Sequence, residues 1–323
     1  MRTQLIILLI AFMVIGSSCQ RQELSQKLKP IKCANGKYGY IDTTGKVIIP
    51  CKYDFAMPFE EGLAYVSLNG KCGYIDKIGE EVIPLKYDYC TCTFYDGLVP
   101  VSLNGKWGFI NKTGKEVIPL KYDWALCFDK GLAVVKLNGK CGYIDKTGKE
   151  VIPLKYDWTA GFYEGLAYVE LNGKYGFIDK TDKVVIPFKY DNVWNFHEGL
   201  VKVKLNGKYG YIDTTGKEIV PCKYDDAGDF SEGLASVKLN GKWGFINKTG
   251  KEIIPHKYDE AWSFSEDGLA IVTLNNKDGF INKTGKIVIP CKYDKAYNFY
   301  KGQAIVRLNG KEFLIDKTGN IVE

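Results

Sequence analysis

The sequence predicts an all-β protein, a tandem array of three-stranded antiparallel meanders in repeats of 34 or 35 residues. Repetition is the first observation behind this prediction, because a fixed period of this length is the signature of a repeat architecture. Composition is the second: 35 Gly and 22 Tyr against only 3 Met favour turns and strands over helices. The motif NGK-x-G-[FY]-I-[DN] begins at Asn35, Asn69, Asn104, Asn138, Asn172, Asn206 and Asn240, with a degenerate copy at Asn275 and a terminal copy at Asn309.

Residues 1–18 are predicted to be a lipoprotein signal peptide. An apolar run from Leu5 to Ile15 follows Arg2 and is too short to span about 30 Å of hydrocarbon. The small residues 16–18 before Cys19 resemble a bacterial lipobox, in which the cysteine is lipidated and becomes the mature N-terminus. The alternative is an ordinary cleaved signal followed by a chance cysteine. Because Gln20 follows Cys19, the resemblance implies a lipid anchor in the bacterial outer membrane, on either its periplasmic or its surface face.

Residues 19–30 predict a polar tether, and residues 31–323 predict one array of about nine repeats. A length of 323 residues would by itself allow two or three ordinary domains. The repetition argues against separate ordinary domains, because one small unit is copied along the mature chain. No other segment of the sequence is apolar enough to cross a membrane as a helix.

Each repeat is predicted to contain three strands, illustrated by the copy that starts at Leu132. Alternating apolar and polar residues from Leu132 indicate a half-buried first strand, and Asn138-Gly139 suits a type I′ hairpin turn. The second strand is predicted over Cys141–Asp145. A third, short strand is predicted over Glu150–Ile152, ending at Pro153 because proline cannot donate to a ladder.

A linker with a recurring Tyr-Asp pair and a later Phe joins consecutive meanders. The Phe residues are predicted to form a hydrophobic seam between neighbouring repeats, and the Asp is predicted to accept hydrogen bonds at a turn or cap. A ladder of cation sites is the alternative, but one carboxylate per repeat lacks the clustered oxygen ligands that Ca²⁺ needs. The Asp residues are Asp54, Asp88, Asp123, Asp157, Asp191, Asp225, Asp259 and Asp294.

Trp107-Gly108 and Trp243-Gly244, inside GKWGFINKTGKE[VI]IP, resemble the WG-repeat (KWG repeat) family together with the Tyr-Asp and Phe-x-[ED]-Gly-Leu elements. The resemblance covers residues 31–323 and implies a bacterial β-repeat protein, often secreted, with no shared catalytic residues and no common activity. The tryptophan of the motif is not a fixed functional residue in this chain. Its replacements are Tyr38, Cys72, Cys141, Tyr175, Tyr209, Asp278 and Glu312.

Two arrangements of such repeats are considered, a closed propeller and an open solenoid or superhelix. A propeller usually completes its ring with a strand shared between the two ends of the chain. Here the last repeat has all three of its strands and no exchange is evident, which favours the open array.

Ligand contacts in a repeat protein are expected at positions that vary between copies, because recurring positions build the core. Two variable positions follow each Tyr-Asp pair, and four of the six tryptophans occupy them. An aromatic stripe at these positions would suit stacking on sugar rings or on an extended peptide. Alternatively, the rings pack against the neighbouring repeat and meet no ligand. The candidate contact residues are Phe55, Tyr89, Trp124, Trp158, Trp194 and Trp262.

The formal net charge of +6 is spread over the turns of every repeat, where Lys is accompanied by Asp or Glu. Mixed charges of this kind predict a solvated rim, so no nucleic-acid partner is expected. Cys51, Cys72 and Cys141 replace apolar or aromatic residues of other copies, which predicts that cysteine acts as a small buried apolar residue. Nine cysteines besides Cys19, at scattered positions, do not suggest a disulfide framework.

No catalytic residue, metal site or cofactor is predicted. The two histidines, His197 and His256, lie in different repeats and at different positions of the unit. His256 is interpreted as a packing residue and His197 as a surface residue. Phosphate-binding loops, metal-binding histidine pairs and nucleophile elbows are all missing from the sequence.

These observations predict a non-enzymatic, lipid-anchored repeat scaffold that binds a protein partner at the outer membrane. Extracellular glycan capture through the aromatic stripe is the alternative. A hydrolase that uses carboxylates from several repeats is the less favoured third hypothesis.

Overall fold

Strands are the only regular elements among residues 27–91 and 93–322, which the computed structural model describes. The all-β prediction is therefore confirmed. The predicted signal peptide over residues 1–18 and the predicted lipidation site at Cys19 lie outside the described residues. Within the described ranges, no helix is present that could span a membrane.

The chain divides into two compact units between Lys155 and Tyr156, so the strand Glu150–Tyr156 lies in the first unit except for its last residue. The first strand begins at Lys29, two residues before the predicted start of the array at residue 31. The strands of the first unit are β1 (Lys29–Lys32), β2 (Tyr38–Ile41), β3 (Val47–Tyr53), β4 (Phe55–Ala56), β5 (Ala64–Leu68), β6 (Lys71–Ile75), β7 (Glu81–Tyr87), β8 (Tyr89–Cys90), β9 (Leu98–Leu103), β10 (Lys106–Asn111), β11 (Glu116–Tyr122), β12 (Trp124–Ala125), β13 (Leu132–Leu137), β14 (Lys140–Asp145) and β15 (Glu150–Tyr156).

The second unit continues the same succession of short strands. They are β16 (Trp158–Thr159), β17 (Leu166–Leu171), β18 (Lys174–Asp179), β19 (Val184–Tyr190), β20 (Asn192–His197), β21 (Leu200–Leu205), β22 (Lys208–Asp213), β23 (Glu218–Tyr224), β24 (Asp226–Ala227), β25 (Leu234–Leu239), β26 (Lys242–Asn247), β27 (Glu252–Tyr258), β28 (Glu260–Ala261), β29 (Leu269–Leu274), β30 (Lys277–Asn282), β31 (Ile287–Tyr293), β32 (Lys295–Ala296), β33 (Gln303–Leu308) and β34 (Lys311–Asp316).

Each repeat forms one antiparallel sheet whose strands follow the order of the chain. The first sheet is β1–β3, the ninth is β32–β34, and each of the seven sheets between them has four strands. The fourth strand comes from the segment after Tyr-Asp, which the sequence analysis assigned to the linker. In the fourth sheet, for example, Trp124 pairs with Lys136 and Ala125 with Val135. None of these sheets closes into a barrel or takes a strand from a distant repeat, as predicted for an open array.

The hairpin between the first two long strands of each meander has the predicted geometry. Asn138 has a φ of 51° and Gly139 a φ of 79°, so both residues lie in the left-handed region that a type I′ turn requires. Asparagine tolerates this region better than most residues, which explains why Asn-Gly recurs at these turns.

The third strand does not end at proline, and this corrects the sequence prediction. β15 runs through Pro153 to Tyr156. The third sheet shows the reason: Trp107 pairs with Tyr122 and Phe109 with Ile118, so residues 119–121 form a bulge opposite one glycine. A bulged residue donates no ladder hydrogen bond, so the proline at its start leaves no ladder position unfilled.

The predicted hydrophobic seam is present between successive sheets within each unit. Phe128 follows β12 and is buried, with its ring 4.8 Å from the ring of Phe109 in the preceding sheet. Both belong to a core cluster that combines Ile118 of the third sheet with Val135 and Ile144 of the fourth. The core therefore lies between repeats as well as within them, so neighbouring sheets stabilise each other.

Two disulfides correct the interpretation of the cysteines. Cys33 is bonded to Cys51 and Cys72 to Cys90, each pair 18 residues apart in sequence. The second bond joins β6 of the second sheet to β8 of the third, so it covalently links two repeats. Sequence spacing could not reveal these pairs, because folding brings their Cα atoms together, to 6.2 Å within the first repeat for Cys33 and Cys51 and to 6.1 Å between neighbouring sheets for Cys72 and Cys90. Elsewhere Cys141 is buried, as predicted.

The Asp of each Tyr-Asp pair is a turn acceptor, as predicted, and also joins two repeats. Asp259 accepts a hydrogen bond from Lys242 Nζ of the seventh sheet at 2.5 Å and from the backbone N–H of Asn275 in the eighth at 2.8 Å. These hydrogen bonds, led by the one from Lys242, lower the pKa of Asp259 below its ordinary value. The same Lys–Asp contact recurs between Lys37 and Asp54, Lys71 and Asp88, Lys106 and Asp123, Lys174 and Asp191, Lys208 and Asp225, and Lys277 and Asp294.

Candidate functional site

The short strand after each Tyr-Asp pair controls which variable side chains reach solvent. In β16, Trp158 pairs with Glu170 and is exposed, whereas the next residue, Thr159, is buried. Successive side chains of a strand point to opposite faces, so the second residue enters the core and the first stays outside. The same exposed-then-buried order holds for Phe55 and Ala56.

All six predicted contact residues have some exposed surface. The exposed fractions are 42% for Phe55, 53% for Tyr89, 40% for Trp158 and 41% for Trp262. Trp124 and Trp194 are half-buried.

Most of these rings also pack against another aromatic ring of the array. Tyr89 lies 5.1 Å from Trp107, and Trp194 lies 5.6 Å from Tyr209, measured between ring centroids. Both contacts lie within one sheet, whereas the alternative raised from the sequence has the rings pack against the neighbouring repeat. Tyr89 and Trp194 thus each have an aromatic neighbour while part of their surface remains open to solvent.

Two clefts next to these rings concentrate the exposed aromatic surface. We call the one in the first unit the Trp124 cleft; its volume is about 300 Å³. The Trp158 cleft in the second unit has a volume of about 310 Å³. The Trp124 cleft is lined by Tyr89, Thr91, Trp107, Trp124, Ala125, Leu126 and Cys127. The Trp158 cleft is lined by Trp158, Tyr168, Glu170, Tyr175, Asn192, Val193, Trp194 and Asn195.

Hydrogen-bonding groups line one side of the Trp158 cleft. The hydroxyl of Tyr175 donates to Glu170 Oε2 at 3.1 Å. Burial, together with this hydrogen bond, raises the pKa of Tyr175 above its ordinary value, so the phenol stays protonated and remains a donor. Asn192 uses Oδ1 to accept a hydrogen bond from the backbone N–H of Val193 at 2.8 Å.

A lysine restrains the Trp194 ring at the other side of this cleft. Lys202 Nζ lies 4.6 Å from the ring centroid, in cation–π contact. The same ammonium donates to the carbonyl oxygen of Ala227 at 2.9 Å and lies 3.4 Å from Asp229 Oδ1. Trp194 is therefore held by a lysine whose side chain is itself largely buried.

Sequence reasoning found Trp158 and Trp194 but missed the other side chains of the cleft. Tyr168 and Glu170 lie on β17 and Tyr175 on β18, whereas the predicted contact residues all lie in the segment after Tyr-Asp. A signal was available: in the predicted meander, β17 lies beside the segment that carries Trp158, so the residues opposite that tryptophan could have been compared between copies.

The histidines do not form a catalytic arrangement. Exposed His197 has its Nε2 3.9 Å from Asp229 Oδ2. His256 is half-buried, with Nδ1 2.7 Å from Glu252 Oε2 and its ring stacked on Tyr224. Among residues 27–91 and 93–322, no group of three or more His, Cys, Asp or Glu side chains could hold a metal ion.

A family model described as "WG containing repeat" matches eight consecutive segments of the chain. The segments matched by this family model are residues 38–72, 73–107, 107–141, 142–175, 175–209, 209–243, 243–277 and 279–311. No curated protein matches the sequence.

Solved structures with similar backbones are distant in sequence. A crystal structure of the eukaryotic initiation factor has 11% identity and a TM-score of 0.47, over 93% of this chain and 96% of that one. Hsv2 of Kluyveromyces lactis has 9% identity and a TM-score of 0.37, over 69% of this chain and 90% of that one. Sqt1 of Saccharomyces cerevisiae has 11% identity and a TM-score of 0.34, over 81% and 92%.

Proposed function

This chain belongs to the WG containing repeat family, and on that premise we propose that it is a non-catalytic scaffold that binds a protein partner. The family resemblance brings no shared catalytic residues, and the repeated sheets offer a long, regular surface. A repeat array of this kind presents many equivalent positions whose side chains can vary without disturbing the core.

The observation that carries this proposal is the separation of recurring and varying side chains. The recurring Tyr of each Tyr-Asp pair is buried, for example Tyr122 and Tyr258. The residue after the pair differs from copy to copy, from Tyr89 in the third sheet to Glu260 in the eighth, and it is exposed at both positions. The buried tyrosines recur because the core of every repeat needs them. The exposed residues that follow the pairs are not needed for the core, so they are available to contact a partner.

We further propose that a lipid on Cys19 holds the scaffold at the bacterial outer membrane. Support comes from the sequence, where an apolar segment and the small residues 16–18 precede this cysteine. A single acyl chain binds membranes only marginally, whereas several chains on one cysteine anchor a protein stably.

The anchor is tested by the Cys19→Ser variant expressed in a Gram-negative host. We expect the wild-type chain in the detergent-soluble membrane fraction and the variant in the soluble periplasmic fraction, because the lipid attaches through the thiol. A variant that still partitions with membranes would contradict the anchor. Equal amounts of folded protein, checked by circular dichroism, serve as the control.

Glycan capture is a second candidate function, and the Trp158 cleft is the observation that favours it. Its aromatic rings lie beside a carboxylate and two side-chain amides, from Glu170, Asn192 and Asn195. Carbohydrate rings have an apolar face and an edge of hydroxyl groups, and this combination of side chains suits both.

The protein-partner proposal is tested by photo-crosslinking at two matched positions of the first unit. Tyr89 follows a Tyr-Asp pair, whereas Ile78 lies in a turn between two strands and has a similar exposed fraction. With benzoylphenylalanine at each position in cells, we expect residue 89 to yield one discrete crosslinked protein and residue 78 to yield none. Equal crosslinking from both positions, or none from residue 89 and none from residue 262, would overturn the proposal.

A further inference from the structure

We infer that the Trp158 cleft binds one pyranose ring of a neutral oligosaccharide. The inference rests on the binding-scaffold function proposed above and gives its second candidate a defined site. Trp158 is the stacking platform, and Glu170, Asn192 and Asn195 bind the hydroxyl groups at the edge of the ring.

The platform is already held in place before any ligand arrives. Trp158 is stacked on Tyr168, with 5.2 Å between ring centroids and 23° between ring planes, yet 40% of the residue remains exposed. A ring supported on one side loses little conformational freedom when a second flat surface covers its other side.

The hydrogen-bonding groups are also positioned before binding. Tyr175 donates to one oxygen of Glu170, which orients the carboxylate while its remaining lone pairs can accept hydrogen bonds from sugar hydroxyls. The Oδ1 atom of Asn192 is engaged by the Val193 N–H, so the NH₂ group of that side chain supplies the donors. Acceptors and donors therefore lie beside one aromatic face, as vicinal hydroxyl groups require.

The Trp124 cleft provides an internal comparison, because it occupies the same place in the repeat. Tyr89 and Trp107 there correspond to Trp158 and Tyr175, so aromatic side chains are present in both clefts. The hydrogen-bonding positions differ: Trp124 stands in place of Asn192 and Cys127 in place of Asn195. Of the two clefts, therefore, the Trp158 cleft is the one that combines an aromatic platform with side-chain amide groups.

Charge argues for a neutral ligand. The carboxylate of Glu170 repels uronic acids and phosphorylated sugars. The ammonium of Lys202 is already 4.6 Å from the Trp194 ring, so a second cation, such as a quaternary ammonium group, is disfavoured there. A volume of about 310 Å³ is at the small end for ligand sites and suits one ring better than a folded partner.

The test measures binding of defined sugars to the full-length chain in detergent by isothermal titration calorimetry. The probes are cello-, manno- and chito-oligosaccharides, with an oligogalacturonate and choline as the acidic and cationic comparisons. We expect one neutral oligosaccharide to bind, with at least about a tenfold weaker affinity in both Trp158→Ala and Glu170→Ala. Trp158→Phe should retain most of the affinity because a flat ring remains.

Trp124→Ala is the matched control, and we expect it to leave sugar affinity within about twofold of the wild type. Thermal melts show whether each variant is folded, and Glu170→Gln tests the carboxylate with the least change in shape. Binding of choline or the oligogalacturonate in place of neutral sugars would overturn the inference, as would equal losses in Trp124→Ala and Trp158→Ala.

The result of the sugar-binding test can be distinguished from that of the test for a protein partner. Crosslinking at residue 89 together with no sugar binding would overturn this inference and leave the protein-binding scaffold standing. Sugar binding that depends on Trp158, without a crosslinked protein, would support the cleft and contradict the protein partner. Absence of both results would remove the two functions together.

Discussion

Gly108→Ala is expected to destabilise the first unit by at least about 3 kcal/mol. A Cβ atom at this position would lie 2.5 Å from the carbonyl oxygen of Ile118, 2.7 Å from the carbonyl carbon of Pro119 and 2.8 Å from the nitrogen of Leu120. All three atoms belong to the backbone of the bulge that crosses over the glycine, so no side-chain rotation relieves the clash. The measurement is the free energy of unfolding from urea denaturation followed by circular dichroism.

Gly161→Ala is the matched control for this substitution. An added Cβ at Gly161 would meet no atom within 4 Å, and the backbone there does not lie in the left-handed region. We expect a change of no more than about 1 kcal/mol, in the stabilising direction, because alanine restricts the unfolded chain. Similar losses from both substitutions would show that the bulge does not explain the glycine.

The last repeat supports this account of the motif glycine. Phe313 stands at the equivalent position of β34 and pairs with Val306. Up to residue 322, where the described residues end, the ninth sheet has no bulged strand after β34 and one bridge joins Ile315 to Ile321. With no backbone crossing over this position, a phenylalanine side chain has space. The glycine of the WG motif is therefore required by the neighbouring strand and not by a ligand.

Phe128→Ala is also expected to have a large effect, lowering the free energy of unfolding by about 3–5 kcal/mol. The side chain is 1% exposed and fills the core between the third and fourth sheets. Its removal leaves a cavity at a junction where each repeat depends on its neighbour. Hydrogen exchange followed by mass spectrometry should show faster exchange in β10 and β13, on the two sides of the junction.

Phe55→Ala provides the comparison for this junction. Phe55 is 42% exposed, so we expect its removal to cost no more than about 1 kcal/mol. Equal costs for Phe55→Ala and Phe128→Ala would contradict a seam built from the recurring phenylalanines.

Much of the local structure could be predicted because short-range rules determine it. The Asn-Gly turn at 138–139, the alternation from Leu132 and the role of Asp259 at a turn all depend on residues close in sequence or on intrinsic backbone preferences. The bulge at residues 119–121 was missed, since proline was read as a strand end. The proline is accommodated because it begins a bulge, where a residue donates no ladder hydrogen bond, and the bulge has space because a glycine stands opposite it on the adjacent strand.

The candidate site was predicted only in part, for a related reason. Comparing copies found Trp158 and Trp194, because variability after Tyr-Asp is visible along the chain. Glu170 and Tyr175 join the same cleft through strand pairing and through packing of the fifth sheet against β20. Lys202 lies on β21, outside the turns to which the sequence analysis assigned the charges, and it lies over Trp194 and is largely buried.

By itself, the sequence determined the repeat, its length, the all-β class and the turns, because these follow from periodicity and from the backbone preferences of single residues. Only the tertiary structure decided which side chains from different strands meet: the Cys72–Cys90 bond between two sheets, the lysine–aspartate contacts between repeats and the two aromatic clefts. The physical reason is that such contacts depend on register and on the stacking of one sheet on the next, which no single repeat encodes.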